Sequence, residues 1–151
     1  PHLFVMLLKT TSPILSLILL SGYFSPGPLC ATEASSVAEP STLVVLWTSG
    51  DPEVAHRVAL MYTHGAKKAD WFEDVRLIVW GPSQRLLAAD KDIQAKVAEM
   101  REDGISVEAC IVCARSYGLV SVLEELGLPV RAMGAPLSGF LKSADHTVLT
   151  F

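Results

Sequence analysis

The amino-acid sequence predicts an α/β protein, a three-layer α/β/α sandwich with a mainly parallel sheet of about five strands. First, short apolar runs of strand length alternate with segments of helical periodicity. Second, the apolar runs are continuous, as expected for strands that are buried on both faces of a sheet. Third, Gly and Pro residues mark the ends of the helical segments.

The first half of the predicted domain holds two strands, each followed by helical sequence. Residues 43–47 form the first strand, and Asp51 caps a helix that runs to about residue 69. Residues 75–80 form the second strand, and the helical region after it ends at Gly104. The positions predicted to face the core from these helices are Val54, Val58, Met61, Tyr62 and Gly65 in the first and Ile93, Val97 and Met100 in the second.

The second half repeats the pattern. Residues 106–110 form the third strand, which is followed by one helix that ends at Gly127. A fourth strand covers residues 130–133, a short helix covers 136–144, and a last strand covers 147–151. Right-handed crossovers between these units place the strands in one sheet with helices on both faces. The positions predicted to be buried on the last two helices are Leu119, Val122, Leu123, Leu126, Leu137, Phe140 and Leu141.

The start of the chain is typical of a secretory signal peptide. Lys9 precedes the apolar run 13–24, and small residues around Ala34 and Ala38 offer cleavage positions. The apolar run is shorter than the ~20 residues that span a bilayer. We therefore expect a periplasmic or secreted protein, with membrane contact only through a leader that is left uncleaved. Met6 is an alternative start of translation.

These features divide the chain into a leader over residues 1–34, extending to 38 if the later site is cleaved, a linker over 35–41 and one domain over 42–151. The net charge is −4. A surface that follows nucleic-acid phosphates needs a clustered stripe of Lys and Arg, and the sequence has none, so we expect no nucleic-acid partner.

Cys110 and Cys113 are the sharpest chemical feature, a Cys-x-x-Cys motif where the third strand gives way to a helix. Ligands of parallel sheets bind beyond the carboxyl ends of the strands. A thiol near a helix N-terminus is favoured as thiolate, and Arg115 would add a cation. We therefore expect the Cys110 sulfur to be accessible and readily ionised. The alternative is that one or both cysteines are small buried hydrophobes.

Other residues at the same predicted edge could line a pocket, but no metal or cofactor is predicted. A structural zinc site needs four ligands, and the sequence has no second paired motif. The glycine patterns of nucleotide-binding loops are also absent from the sequence. The predicted pocket residues come from the loops after the first, second and fourth strands: Thr48, Ser49, Gly50, Trp80, Gly81 and Gly134.

Four short motifs spread over residues 43–151 are Thr48-Ser-Gly50, Val107-Glu-Ala-Cys110 with Gly118 behind it, Glu124-Glu-Leu-Gly127 and Val148-Leu-Thr-Phe151. In these motifs the sequence resembles the DsrE/DsrF-like family, small α/β proteins that include the TusD-type sulfur-relay subunits. The resemblance implies a DsrEFH-like, flavodoxin-like fold, a persulfide carried on Cys110, and assembly as a homo-oligomer, either a trimer or a hexamer.

Two functional hypotheses follow. The first is an exported sulfur-handling protein, a sulfurtransferase-like carrier of sulfane sulfur or a thiol–disulfide exchanger. In it Cys110 reacts first, Cys113 is the resolving thiol, and the partner is a protein that donates or accepts sulfur. The second is a non-catalytic, oligomeric binding or assembly module in which both cysteines are structural.

Overall fold

The computed structural model describes residues 39–151, which form one parallel sheet with helices packed on both of its faces. The predicted leader and residues 35–38 of the predicted linker lie outside the described residues. Among the described helices, none has the length and apolar character needed to cross a membrane.

The sheet has five strands in the order β4-β3-β2-β1-β5, and every neighbouring pair is parallel. The predicted fold class is therefore confirmed. Each strand lies within one residue of its predicted bounds except the fourth, which ends two residues early and is only two residues long. The strands are β1 Thr42–Trp47, β2 Asp74–Val79, β3 Ser106–Cys110, β4 Val130–Arg131 and β5 His146–Thr150.

The helices follow the strands in the predicted order. Asp51 is the N-cap of the first helix, and its Oδ1 accepts hydrogen bonds from the backbone N–H groups of Glu53 (2.8 Å) and Val54 (3.2 Å). The helices are α1 Pro52–Val54, which continues through a π-helical segment Ala55–Ala59 into α2 Leu60–Lys68, then α3 Ser83–Ala89, α4 Lys91–Glu102, α5 Ile111–Tyr117, α6 Val120–Glu125 and α7 Gly134–Lys142.

The strand order explains why the two faces of the sheet are covered unequally. β1 to β4 are consecutive neighbours, so their right-handed connections lie on one face, whereas the connection from β4 to β5 returns across the sheet and lies on the other. The first face carries the large core, which includes Trp47, Leu60 and Leu77. The second face carries a small cluster, which we call the α7-side cluster: Val44, Ile78, Cys110 and Met133, with Leu46, Trp80, Cys113, Leu137, Phe140 and Val148 packed half-buried against it.

The buried face of the first helix differs from the prediction. Val58 and Met61 are exposed, the latter by 60%. The π-helical segment holds an i to i+5 hydrogen bond, from the Leu60 N–H to the Ala55 carbonyl, and this shifts the helical phase that the sequence periodicity assumed. Tyr62 does pack half-buried against the large core, as predicted. The fully buried residues are Ala55, Ala59, Leu60, Thr63, His64 and Ala66.

The helix predicted after β3 is in fact two helices. Gly118 adopts φ +67° and ends α5, and the next N–H, that of Leu119, donates to the Ala114 carbonyl over 2.8 Å. The interruption changes the direction of the chain, so only Leu123 of the four predicted core positions is fully buried. Leu119 and Leu126 pack half-buried against the large core.

The prediction for α7 was partly wrong. None of its residues is fully buried, and Leu141, predicted as core, is 65% exposed. Leu137 and Phe140 do contact the α7-side cluster, and the Arg76 guanidinium lies 5.8 Å from the centre of the Phe140 ring. A helical face is buried only where another element lies against it, and within residues 39–151 the side of α7 that carries Leu141 stays exposed.

Helices α2 and α4 are joined by an ionic contact at their C-terminal ends. Asp103 accepts from Lys68 Nζ (2.7 Å) and contacts His64 Nε2 (2.6 Å), and His64 is buried. The hydrogen bond from Lys68, followed by that from His64, holds the pKa of Asp103 below its ordinary value. A carboxyl group with a lowered pKa in the folded state adds stability above its unfolded pKa, and that stability is lost as the pH falls through the folded pKa.

Replacing Asp103 should therefore weaken the fall in stability that the protein shows as the pH is lowered. We expect Asp103→Asn to lower Tm by a few degrees at neutral pH, and the difference from the parent to shrink as the pH falls below the pKa of the paired Asp103. Circular dichroism melts at a series of pH values would measure it, with Glu102→Gln, an exposed neighbouring carboxyl, as the control. A Tm difference that stays constant with pH would contradict this account.

Candidate functional site

The Cys-x-x-Cys motif lies where the sequence predicted it. Cys110 is the last residue of β3 and the N-cap of α5, with extended backbone angles (φ −74°, ψ 118°). Cys113 follows in the first turn of α5, and both thiols are free. Because all five strands are parallel and Cys110 ends β3, this junction is at the carboxyl edge of the sheet, where α/β proteins form their sites.

The two thiols differ in exposure. Cys110 is 2% exposed and packs with Val44, Ile78 and Met133, whereas Cys113 is partly exposed and borders the same cluster. The expectation that the Cys110 sulfur is accessible is therefore wrong for the described chain. The alternation of side chains along β3 turns Cys110 onto the sheet face that Met133 covers, and that choice of face depends on strand register.

The electrostatic environment of Cys113 favours the thiol form. Burial raises the pKa of Cys113, and the neighbouring Cys110 thiol raises it further, whereas the Gly81 backbone N–H acts in the opposite direction. The helix that starts here has only seven residues. Arg115 is exposed and takes no part in this pKa shift.

Gln84 fixes the position of the site, although it is not among the residues predicted from the sequence. Its Nε2 donates to the carbonyls of Val79 and Cys110, each over 3.0 Å, and so joins the carboxyl ends of β2 and β3. The side chain is fully buried, and its Oε1 has no hydrogen-bond partner among the described residues. The available signal was a polar residue directly after Gly81-Pro-Ser83, at the sheet edge where side chains from neighbouring loops meet.

Ser83 closes the neighbouring turn in a similar way. Its Oγ donates to the Trp47 carbonyl (2.7 Å) and accepts from the Trp80 N–H (3.1 Å). Trp80 is half-buried against the α7-side cluster, and Gly81, with φ +67°, presents its N–H to Cys113. These contacts bring two of the predicted pocket residues, Trp80 and Gly81, next to the thiols.

The loop after β1 is occupied by a contact within the chain. The backbone N–H of Thr48 (2.7 Å) and its Oγ1 (2.8 Å) both donate to the Phe151 carbonyl, as does the Ser49 N–H (3.2 Å). A side chain at Gly50 would meet the Pro82 Cβ at 3.2 Å, so this position is close-packed. The hydrogen-bond donors of Thr48 and Ser49 therefore hold the residue that follows β5. Gly134, the first residue of α7, is exposed and follows Met133 of the α7-side cluster.

A second group of polar side chains lies between α2 and α4. Single ligand atoms of His64, Glu99 and Asp103 lie within 4.8 Å of one another, an arrangement compatible with a metal ion. Both carboxylates are already paired, Asp103 with Lys68 and Glu99 with Lys96 (2.9 Å). Neither cysteine of the motif belongs to this group.

A cavity of about 250 Å³ lies near the start of β3, at the other end of that strand from Cys110. It is lined by Arg101, Ile105, Ser106, Val107, Glu108 and Pro129.

Two solved structures are similar to this chain. BT1422 from Bacteroides thetaiotaomicron, described as a conserved protein of unknown function, matches with a TM-score of 0.69 and 33% sequence identity, over 74% of this chain and 95% of BT1422. This chain belongs to the family of BT1422. No protein-family model matches the sequence, and no curated protein matches it either.

The ychN protein from E. coli also matches this chain in fold, with a TM-score of 0.56 and 19% sequence identity over 74% of this chain and 99% of ychN. Together the two structures support the α/β fold of this chain, with its five-stranded parallel sheet. That agrees with the resemblance of the sequence at the level of fold.

The hydrogen bonds of Gln84 predict a large cost for its removal. We expect Gln84→Ala to destabilise the protein by about 2–4 kcal/mol, because it removes one hydrogen bond from each of two buried carbonyls and opens a cavity. Chemical denaturation would measure the loss. Gln94→Ala is the matched control, since the Gln94 amide also donates to two carbonyls, those of Leu87 and Ala88, from a partly exposed position. Equal losses in the two variants would contradict the role given to Gln84.

The raised pKa of Cys113 predicts its reactivity. In a Cys30→Ser background, the rate of Cys113 alkylation by iodoacetamide should rise with pH through a midpoint above that of the same cysteine in the denatured chain. Adding Cys110→Ala should move the midpoint down, because it removes the neighbouring thiol. Peptide mass spectrometry would follow each site. A midpoint below that of the denatured chain would contradict the environment described here.

Proposed function

We propose that this protein handles sulfane sulfur through the Cys110–Cys113 dithiol, either by transferring persulfide sulfur or by thiol–disulfide exchange. The observation that carries the proposal is a pair of free, interacting thiols at the start of α5, of which one is partly exposed. Thiolates are the nucleophiles of both reactions. Such a site needs no resident metal or cofactor.

The spacing of the two cysteines suits the formation of a bond between them. Residues three positions apart in a helical turn have Cα atoms roughly 5–6 Å apart. A disulfide requires Cα atoms within about 7 Å. Both side chains also border the α7-side cluster, so the two sulfurs face the same region. The dithiol can therefore be oxidised without rearranging the sheet.

The resemblance of the sequence to the DsrE/DsrF-like family supports the same class of chemistry, because that family includes sulfur-relay proteins. The α/β fold that this chain shares with BT1422 and ychN is the fold class that the resemblance implies. We further propose that the protein is exported, since the first 34 residues are typical of a signal peptide and an oxidising compartment would favour a dithiol that cycles through a disulfide.

We also propose that the protein assembles as a homo-oligomer, a trimer or hexamer, and meets a protein that donates or accepts sulfur. Val112 is 68% exposed and directly precedes Cys113, and Leu141 is 65% exposed on α7. Contact with another protein surface would remove these apolar side chains from water. A surface that covered Val112 would also shield the entrance to the dithiol.

Mass spectrometry after exposure to glutathione persulfide tests the proposed function. We expect the Cys30→Ser protein, purified without reductant, to gain one sulfur atom at the motif or to lose two hydrogens through disulfide formation. The Cys110→Ala/Cys113→Ala double variant is the matched control and should remain unchanged. Two unmodified, alkylation-resistant thiols in the persulfide-treated protein would end the proposal.

The second candidate is a non-catalytic binding or assembly module with structural cysteines. The burial of Cys110 favours it, because a sealed thiol packs as a small hydrophobe. It predicts that Cys113→Ala, which leaves the buried cysteine in place, keeps the oligomeric state measured by light scattering. It also predicts that the parent protein takes up no sulfur.

A further inference from the structure

The unequal exposure of the two thiols assigns them an order of reaction. Cys110 is 2% exposed within a close-packed apolar cluster, and Cys113 borders that cluster on the solvent side. A sulfur donor therefore meets Cys113 first. We propose that Cys113 takes up the incoming sulfane sulfur and that Cys110 resolves it, so that the pair reduces persulfides and releases sulfide. This inference rests on the proposed function.

Packing around Cys110 argues against a persulfide on that residue. Val44, Ile78 and Met133 are each no more than 1% exposed, and they enclose the Cys110 side chain together with half-buried neighbours. A persulfide adds a whole sulfur atom, and a close-packed core can accept an atom of that size only by forcing its side chains off their preferred rotamers. On Cys113 the added sulfur can extend toward solvent without displacing the cluster.

The first step is the transfer of one sulfur atom. The Cys113 thiolate attacks the terminal sulfur of a persulfide R–S–SH, a new S–S bond forms on Cys113, and the original S–S bond breaks. The leaving thiolate RS⁻ takes up the proton that Cys113 gave up and departs as RSH. The raised pKa of Cys113 lowers its thiolate fraction but not the nucleophilicity of each thiolate, so access decides which sulfur reacts.

The second step is resolution from inside the protein. The Cys110 thiolate attacks the inner sulfur of the Cys113 persulfide, the Cys110–Cys113 disulfide forms, and the outer sulfur leaves as hydrosulfide, which takes the Cys110 proton. Displacement at sulfur runs in line, so a nucleophile on the buried side expels its leaving group toward the solvent side. The net reaction converts two thiols and R–S–SH into one disulfide, RSH and H₂S, and the sulfane sulfur gains the two electrons that the dithiol loses.

The cycle then needs a dithiol reductant to restore the two thiols. A protein of the thiol–disulfide oxidoreductase class supplies the two electrons by attacking the more exposed sulfur of the disulfide, that of Cys113. The order therefore makes Cys113 the contact point for both the sulfur donor and the reductant. Val112, exposed beside it, would lie in the same contact surface.

Single-turnover experiments with glutathione persulfide test the order. All proteins carry Cys30→Ser, so that only the two motif thiols of the three cysteines remain. After brief exposure and desalting, the parent should hold the disulfide and should have released one sulfide per chain. Cys110→Ala should instead retain one extra sulfur on Cys113 and release no sulfide. Cys113→Ser should take up at least tenfold less sulfur than the parent.

The outcomes separate this order from the proposed function. If Cys113→Ser becomes persulfidated on Cys110 as fast as the parent reacts, the order is wrong and sulfur handling stands. If the parent keeps a stable persulfide and forms no disulfide, the proposed release of sulfide is wrong, and sulfur handling again stands. If the parent neither gains sulfur nor oxidises, both proposals fail. Thermal melts check that each variant is folded, and should Cys110→Ala not fold, the products of the parent and of Cys113→Ser still decide the order.

Discussion

Two hydrogen bonds from one buried amide hold the site together. The Gln84 side chain donates to the carbonyls at the ends of β2 and β3, so the chain must leave both strands at a fixed separation before α3 and α5 begin. Both donors of this buried amide are satisfied, and only its Oε1 lacks a partner among the described residues. Through this contact, the backbone of Cys110 is fixed by a residue that is distant in sequence, and the side chain of Cys110 is directed onto the α7-side cluster.

The strand order then determines how that cluster is covered. Because β1 to β4 follow one another across the sheet, most helices lie on one face and make the large core. The other face depends on α7, which lies over it without burying any of its own residues fully. The dithiol therefore sits between a sealed interior and a lightly covered face. That position gives one cysteine protection from solvent and the other contact with it.

Local signals were sufficient to predict β1, β2 and β3, the Asp51 cap and the end of α4 at Gly104, because each depends on a few adjacent residues. The break at Gly118 was not predicted, because the apolar residues beyond it continue the helical periodicity of the residues before it. The burial of Cys110 and the role of Gln84 depend on the register of β2 against β3, which pairs Ile78 with Glu108 and Val79 with Ala109. No short-range pattern contains that information. The motif could be found from the sequence, but the different environments of its two thiols could not.

The π-helical segment Ala55–Ala59 has a consequence for comparing relatives. Such a segment accommodates one residue more than a regular α-helix between the same two ends. A homologue that lacks that residue can still present equivalents of Leu60 and Ala66 to the sheet by winding the segment as an ordinary helix. Sequence alignments within the family should therefore admit a single-position gap here, inside a helix, where gap penalties are normally set to forbid one.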